Sequence, residues 1–240
     1  MEKNTTNQGE LFLIPISIEQ AFNNDFLLEK DKKKLKKIKN FIVENPKTAR
    51  KAIKKLNLDQ SLQDLNIIEH SKKSSLKTIE DYLKPVFAGE SIGLLSDSGT
   101  PCIADPGALI VSKAHEFNIK VIPLVGPSSI ILSLMASGFN GQNFCFHGYV
   151  PIEENKKIDF FKEIQRNIKV KQETQIFIET PYRNNKLLID ILKIDNESLK
   201  LCVATNLTGT DQTITSKTLK QWHKNKKPDL SKKLCIFLVN

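Results

Sequence analysis

Three short segments carry residue types able to hold or activate a small polar ligand. The first is Ser96-Asp97-Ser98-Gly99-Thr100-Pro101-Cys102-Ile103-Ala104-Asp105-Pro106-Gly107, directly after the apolar run 92–95. Glycine lets backbone N–H groups approach a ligand closely, and the neighbouring carboxylate and hydroxyls add directional contacts. The second is Val125-Gly126-Pro127-Ser128-Ser129, a helix start with two hydroxyls. The third, Phe177-Ile178-Glu179-Thr180-Pro181-Tyr182-Arg183, offers a carboxylate, a hydroxyl, an aromatic ring and a cation in seven residues. Glu179 and Arg183 read in two ways: as a local ion pair at a helix start, or as two groups facing a crevice.

Several chemistries lose support at once. No G-x-x-x-x-G-K-[ST] occurs, which argues against a P-loop nucleotide hydrolase, and no G-x-G-x-x-G, which argues against dinucleotide chemistry. No G-x-S-x-G elbow is present, so Ser128 and Ser129 read as capping hydroxyls. His70, His115, His147 and His223 are scattered, and His147, at a strand end before Gly148, reads as a hydrogen-bonded structural group. Cys102, Cys145, Cys202 and Cys235 lie far apart without metal-ligand spacing, so they read as buried free thiols and no metal site is expected.

The elements that must position these segments follow from periodicity. Strands are expected at 11–14, 41–44, 92–96, 120–125, 144–147, 175–179, 199–204 and 234–239, with helices at 76–87, 108–117, 130–137, 158–168 and 187–193. Such alternation predicts an α/β protein with mostly parallel sheet. Four pairs, Asn45-Pro46, Asp105-Pro106, Gly126-Pro127 and Thr180-Pro181, read as helix N-termini. Ligands of parallel sheets bind outside the carboxyl ends of the strands, which is where the three segments fall.

The chain has 240 residues, 40% hydrophobic and 26% charged, with a net charge of +9. That length predicts one large domain or two small ones. Residues 30–55 hold twelve Lys/Arg against Asp31 and Glu44, so the segment alone carries +10. Such a block is either a phosphate-binding patch or a solvated face. No apolar run reaches membrane-spanning length and the first ten residues lack a signal-peptide core, so a cytoplasmic protein without membrane association is expected.

Taken together, segments 96–107, 123–129, Phe146-His147-Gly148-Tyr149-Val150-Pro151 and 177–183 resemble the tetrapyrrole methylase family, the class III S-adenosylmethionine-dependent methyltransferases. Within it the residues are most similar to the branch that methylates a cytidine 2′-hydroxyl of 16S ribosomal RNA, and to a short subgroup of Bacteroidetes type. The resemblance implies two α/β domains, here 1–122 and 123–240, with S-adenosylmethionine in the cleft between them, and a homodimer. It implies that Asp97, Gly99, Thr100, Pro101 and Ile103 form the first cofactor loop. Ser128 and Ser129 match the loop opening the second domain. Thr180, with Glu179, matches the motif near the methionine moiety, and Ala204 and Asn206 fall at a strand end that contributes adenine contacts.

The departures from that branch lie elsewhere. Its Thr-Pro-Ile-Gly-Asn after the first strand is here Pro15-Ile16-Ser17-Ile18-Glu19 after Ile14, without the glycine. Its Ala-Glu-Asp-Thr-Arg is Val43-Glu44-Asn45-Pro46-Lys47, and its Arg-Glu-Leu-Thr-Lys is Thr205-Asn206-Leu207-Thr208-Gly209. A ribose hydroxyl is a weak nucleophile, so a positioned base helps it. Glu44 and Glu179 are the candidate catalytic bases, with Arg183 orienting phosphate or acceptor. The expected activity is 2′-O-methylation of small-subunit ribosomal RNA. A small-molecule, tetrapyrrole-type methyltransferase and an inactive cofactor-binding relative are the alternatives.

Overall fold

The computed structural model describes residues 8–19, 24–71 and 74–240. Its chain divides into two compact units, Met1–Ser128 and Ser129–Asn240. The first contains β1 (Leu11–Leu13), α1 (Glu29–Leu35), β2 (Asn40–Val43), α2 (Pro46–Lys54), β3 (Asn66–Glu69), α3 (Leu76–Phe87), β4 (Ile92–Leu95), α4 (Ala108–Glu116) and β5 (Val121–Pro123). Its strands lie in the order β3-β2-β4-β1-β5, and every pairing is parallel. β2 and β4, inside the sheet, are buried along their whole length, which is why they read as unbroken apolar runs. The expected division at 122/123 runs through β5, which pairs with β1 and stays with the first unit.

The helices of this unit bury stripes at helical spacing. Ile79, Leu83 and Val86 of α3 pack with Leu11, Ile42 and Ile92, and Ser75 caps the helix by accepting the Thr78 N–H at 3.1 Å. Ala49, Ala52 and Ile53 of α2 pack with Phe12, Ile14 and Phe41.

The second unit contains α5 (Ser129–Ser137), β6 (Phe144–Tyr149), α6 (Glu154–Lys171), β7 (Thr174–Ile178), α7 (Asn184–Leu192), β8 (Lys200–Thr205), β9 (Thr213–Thr218), α8 (Leu219–Lys224) and β10 (Cys235–Val239). Its strand order is β6-β7-β10-β8-β9. The α/β class holds throughout, but parallel pairing is confined here to β6 and β7; β10 runs antiparallel to both neighbours, and β8 and β9 form an antiparallel pair. The short 206–212 connection dictates that last pairing, because a parallel crossover needs a dozen or more residues.

Trp222 anchors this core. It is 2% exposed, packs with Leu199, Leu201 and Leu219, and donates its indole N–H to the Leu201 carbonyl at 2.9 Å. Thr218 and Gln221 hold α8 in place through a capping box. Trp222→Ala is expected to cost about 3–5 kcal/mol of stability, read as a lower midpoint in urea unfolding. α6 is tied to α7 by Lys157 and Asp190, 2.6 Å apart and both buried, with Glu154 and Lys193 completing the charge set.

Of the four predicted helix starts, one holds as read. Asn45 accepts the Lys47 N–H at 2.9 Å and Pro46 is the first helical residue. At the other three the helix begins two or three residues after the proline: α4 at Ala108, α5 at Ser129 and α7 at Asn184. Thr180-Pro181 instead opens a turn closed by the Arg183 N–H on the Thr180 carbonyl at 2.9 Å, with proline in its favoured second position.

Candidate active site

In the first unit, Val43 pairs with both Glu69 and Leu95, so residues 44, 70 and 96 leave three adjacent strands side by side. Glu44 sits in the middle. Its Oε2 accepts the Asp97 N–H at 3.4 Å, and the Asn45 N–H donates to the Asp97 carboxylate. His70, 4% exposed, donates its backbone N–H to the Val43 carbonyl at 2.8 Å and turns its ring edge-on to Tyr82. Among the described residues its Nδ1 has no hydrogen-bond partner. Burial holds this imidazole below its ordinary pKa, while the Glu44 carboxylate pulls the other way.

The loop after β4 is stitched to the loop after β1. The Ile16 N–H donates to the Gly99 carbonyl at 2.9 Å, and the Ser98 hydroxyl to the Ile18 carbonyl at 3.4 Å. The glycine-free run 14–19 therefore still approaches this loop closely. Gly99 has φ +67°, and a Cβ there would lie 3.2 Å from the Pro127 carbonyl, one residue before Ser128. The bend has to be glycine on both counts. Beyond it Cys102 and Ala104 also hold positive φ, 70° and 66°, a strained backbone of the kind that clusters at ligand sites. Pro101 is buried, Thr100 half-buried and Ile103 52% exposed. Glu44, Asp97, Gly99, Thr100 and the segment leading to Ser128 thus share one edge of the sheet.

Asp97 is electrostatically uncomfortable. Burial and the adjacent Glu44 raise its pKa above the usual aspartate value, against the Asn45 N–H that lowers it. A raised native pKa means that the fold binds this proton more tightly than the unfolded chain, so stability falls as pH rises through the carboxylate range. Asp97→Asn is therefore expected to melt higher than the wild type at pH 7. The difference should vanish as the pH drops below about 4, the ordinary aspartate range, in paired thermal melts.

In the second unit, Ile236 of β10 pairs with Ile178 of β7 and with Ala204 of β8, which sets these residues in one row. Glu179, Thr180 and Asn206 follow directly at the same edge. The far end of α5 is tied to β9 by the Ser216 hydroxyl, which donates to the Ser137 carbonyl at 2.9 Å; Ser129 is the first residue of that helix. Glu179 uses both carboxylate oxygens locally: Oε1 accepts the Thr180 N–H at 2.7 Å and hydroxyl at 3.3 Å, and Oε2 pairs with the Arg183 guanidinium. Its side chain is only 5% exposed. Ala204 is fully buried, and its exchange with the ladder is through backbone alone. Asn206, at φ 46°, accepts the Leu234 N–H and donates to Asp211, shaping the turn after β8.

His70 is the residue that motif reading passed over. The signal for it was the run Asn66-Ile67-Ile68-Glu69, too short and too polar at its ends to read as a strand. His147 bonds to Gln175 at 2.7 Å, the structural use expected of it. Cys202 and Cys235 are buried, and burial pushes both thiols up to about 12, whereas Cys102 and Cys145 are half-buried. Among the described residues no group of three or more His, Cys, Asp or Glu is placed to hold a metal ion, and no helix is long and apolar enough to cross a membrane.

Each α/β unit gathers carboxylates and hydroxyls at the ends of adjacent strands, the arrangement of a ligand-binding α/β protein. The chain belongs to the tetrapyrrole (corrin/porphyrin) methylases, whose family model matches residues 23–222. It is similar to "Ribosomal RNA small subunit methyltransferase I" of Buchnera aphidicola subsp. Schizaphis graminum, 35% identical over 144 residues, 60% of this chain and 49% of that protein. The protein of the same name from Escherichia coli is 28% identical over 208 residues, 87% of this chain and 68% of its own length. The chain spans about half the length of several curated relatives that it matches. Among solved structures, the methyltransferase CobJ superposes with a TM-score of 0.63 at 14% identity, covering 97% of this chain and 94% of that one. Cobalt precorrin-4 methyltransferase, CbiF, gives 0.60 at 13%, covering 96% and 94%. Likeness at that identity speaks for the fold.

Proposed function

We propose that this protein is an S-adenosylmethionine-dependent methyltransferase acting on a ribose 2′-hydroxyl of small-subunit ribosomal RNA, at a cytidine. The observation that carries the reading is the edge of the first sheet, where Gly99 makes a bend that no Cβ would fit and the Glu44 carboxylate accepts the Asp97 N–H, close enough to the Asp97 carboxylate to raise its pKa. Adjacent carboxylates that repel each other are relieved by a cationic ligand. S-adenosylmethionine, when bound, supplies an activated methyl group on a positively charged sulfur.

The residues present fit that ligand. From the first unit Asp97, Gly99, Thr100, Pro101, Ile103 and Ser128 are the residues to hold it; Ser129, Thr180, Ala204 and Asn206 are the candidates that the second unit offers. Alignment of donor and acceptor is the main task, since positioning alone contributes several kcal/mol. Glu44 takes the proton from the ribose hydroxyl. Glu179 and Arg183, each satisfied by the other, fix the 179–183 turn and thereby Thr180. The names of the ribosomal RNA methyltransferase relatives favour RNA as acceptor.

The test is calorimetric titration with S-adenosylmethionine, followed by transfer of labelled methyl to 16S ribosomal RNA lacking its own 2′-O-methylation. Micromolar binding and incorporation at a cytidine ribose support the reading. Binding with incorporation only into a tetrapyrrole would move the acceptor to a small molecule, and absence of binding would end the enzyme reading.

A further inference from the structure

The basic segment splits in three dimensions. Its second half lies on and just beyond α2, which starts at the carboxyl edge of the first sheet. Its first half gathers at the opposite edge, where Lys33, Lys34, Lys37 and Lys39 line a recess of about 600 Å³. The other walls come from residues that directly precede strands: Glu10 before β1, and Glu90 and Ser91 before β4. Residues of the candidate active site follow the same strands. Four residues of strand at about 3.3 Å each put the two sites on the order of 13 Å or more apart.

The recess carries a net positive charge. All four lysines are exposed, and among the described residues none of them forms an ion pair. Of its two carboxylates, Glu10 pairs with Lys120 at 2.6 Å, and Glu90 accepts from the neutral Asn40 amide at 2.7 Å, so Glu90 offsets one of the four lysine charges and the recess stays net positive. The lysines do not float on a mobile arm. Leu35 and Ile38, between them in sequence, are 0% and 2% exposed, and the Lys39 carbonyl accepts the Asn66 N–H at 2.9 Å. Four like charges held together cost free energy unless an anion relieves them.

We infer that this recess is a second RNA contact, binding phosphodiesters of the substrate strand at a distance from the methylated nucleotide. The inference rests on RNA being the acceptor. A contact made only to phosphates positions the strand and carries no base preference. It supplies affinity, whereas the carboxyl edge supplies chemistry.

The experiment compares wild type, a Lys33→Gln/Lys34→Gln/Lys37→Gln/Lys39→Gln variant and the matching quadruple Lys→Arg variant. Each is titrated with in-vitro-transcribed 16S ribosomal RNA between 50 and 200 mM salt, with S-adenosylmethionine by calorimetry, and with AMP as a free phosphate monoester. Each lysine–phosphate contact contributes about 0.7–0.9 to the slope of log K against log salt, so the Gln variant should lose about 3 in slope. It should keep its affinity for S-adenosylmethionine and its melting temperature, and the Arg variant should retain the wild-type slope. An unchanged RNA slope in a folded Gln variant overturns the inference and leaves the methyltransferase reading standing. Loss of AMP binding with RNA binding intact also overturns it, and assigns the recess to small phosphates. A wild type that binds S-adenosylmethionine but no RNA removes the inference together with the RNA acceptor.

Discussion

Glu44→Gln is expected to slow methyl transfer by about 10²- to 10⁴-fold, the range for loss of a positioned general base, and to weaken S-adenosylmethionine binding by a much smaller factor, through loss of one of the two carboxylates that the cationic ligand relieves. The glutamine carbonyl oxygen still accepts the Asp97 N–H, so the loop after β4 keeps its anchor. Single-turnover rates with saturating RNA, beside calorimetric affinities, separate the two quantities. If affinity and rate fall together, Glu44 holds the loop and the base lies elsewhere. The pH profile adds a second reading, because a carboxylate base gives an acidic limb in the wild type that the amide removes.

Thr100→Trp is expected to weaken S-adenosylmethionine binding by about 100-fold or more, close to 2.7 kcal/mol. Thr100 is half-buried immediately after a left-handed glycine, with buried Pro101 on its other side. An indole at this position adds bulk to a loop whose flanking residues, Gly99 and Pro101, are both buried. Thr100→Ser, which keeps the hydroxyl and removes only a methyl group, should stay within a few-fold of wild type. Full affinity in the Trp variant would mean that the cofactor does not occupy this loop. Because the substitution lies outside the strands, melting temperature should change little, and a large drop would mark a folding effect.

How much of this was legible in the residues depends on where each strand sits. β2 and β4 are buried on both faces, so their composition announces them, and the loops that follow inherit a position at the carboxyl edge. β3 and β9 are edge strands. β3 exposes Asn66 and Glu69, and β9 carries Thr213, Thr215, Ser216 and Thr218, so neither shows an apolar face to read. Missing β3 is what hid His70, whose importance comes only from pairing beside β2. The Glu179–Arg183 pair shows the reverse. Its residue types were plain and both uses were open, and only the geometry selected the local one. The basic segment needed topology as well, because no count of lysines tells which end of a sheet they occupy.

The placement of β10 has a consequence for how the chain is made. It is the central strand of its sheet, hydrogen-bonded to both β7 and β8, yet it leaves the ribosome after every other strand of that sheet. Until it emerges, β6–β7 and β8–β9 are two separate ribbons, each with an open edge of unpaired N–H and C=O groups. The first unit has all its strands by residue 123 and can close while synthesis continues. The second acquires its sheet at a single late moment, so a nascent chain stopped before residue 235 carries a finished first half and two unjoined ribbons. Such a product keeps both ribbon edges open to pairing with other chains until β10 joins them.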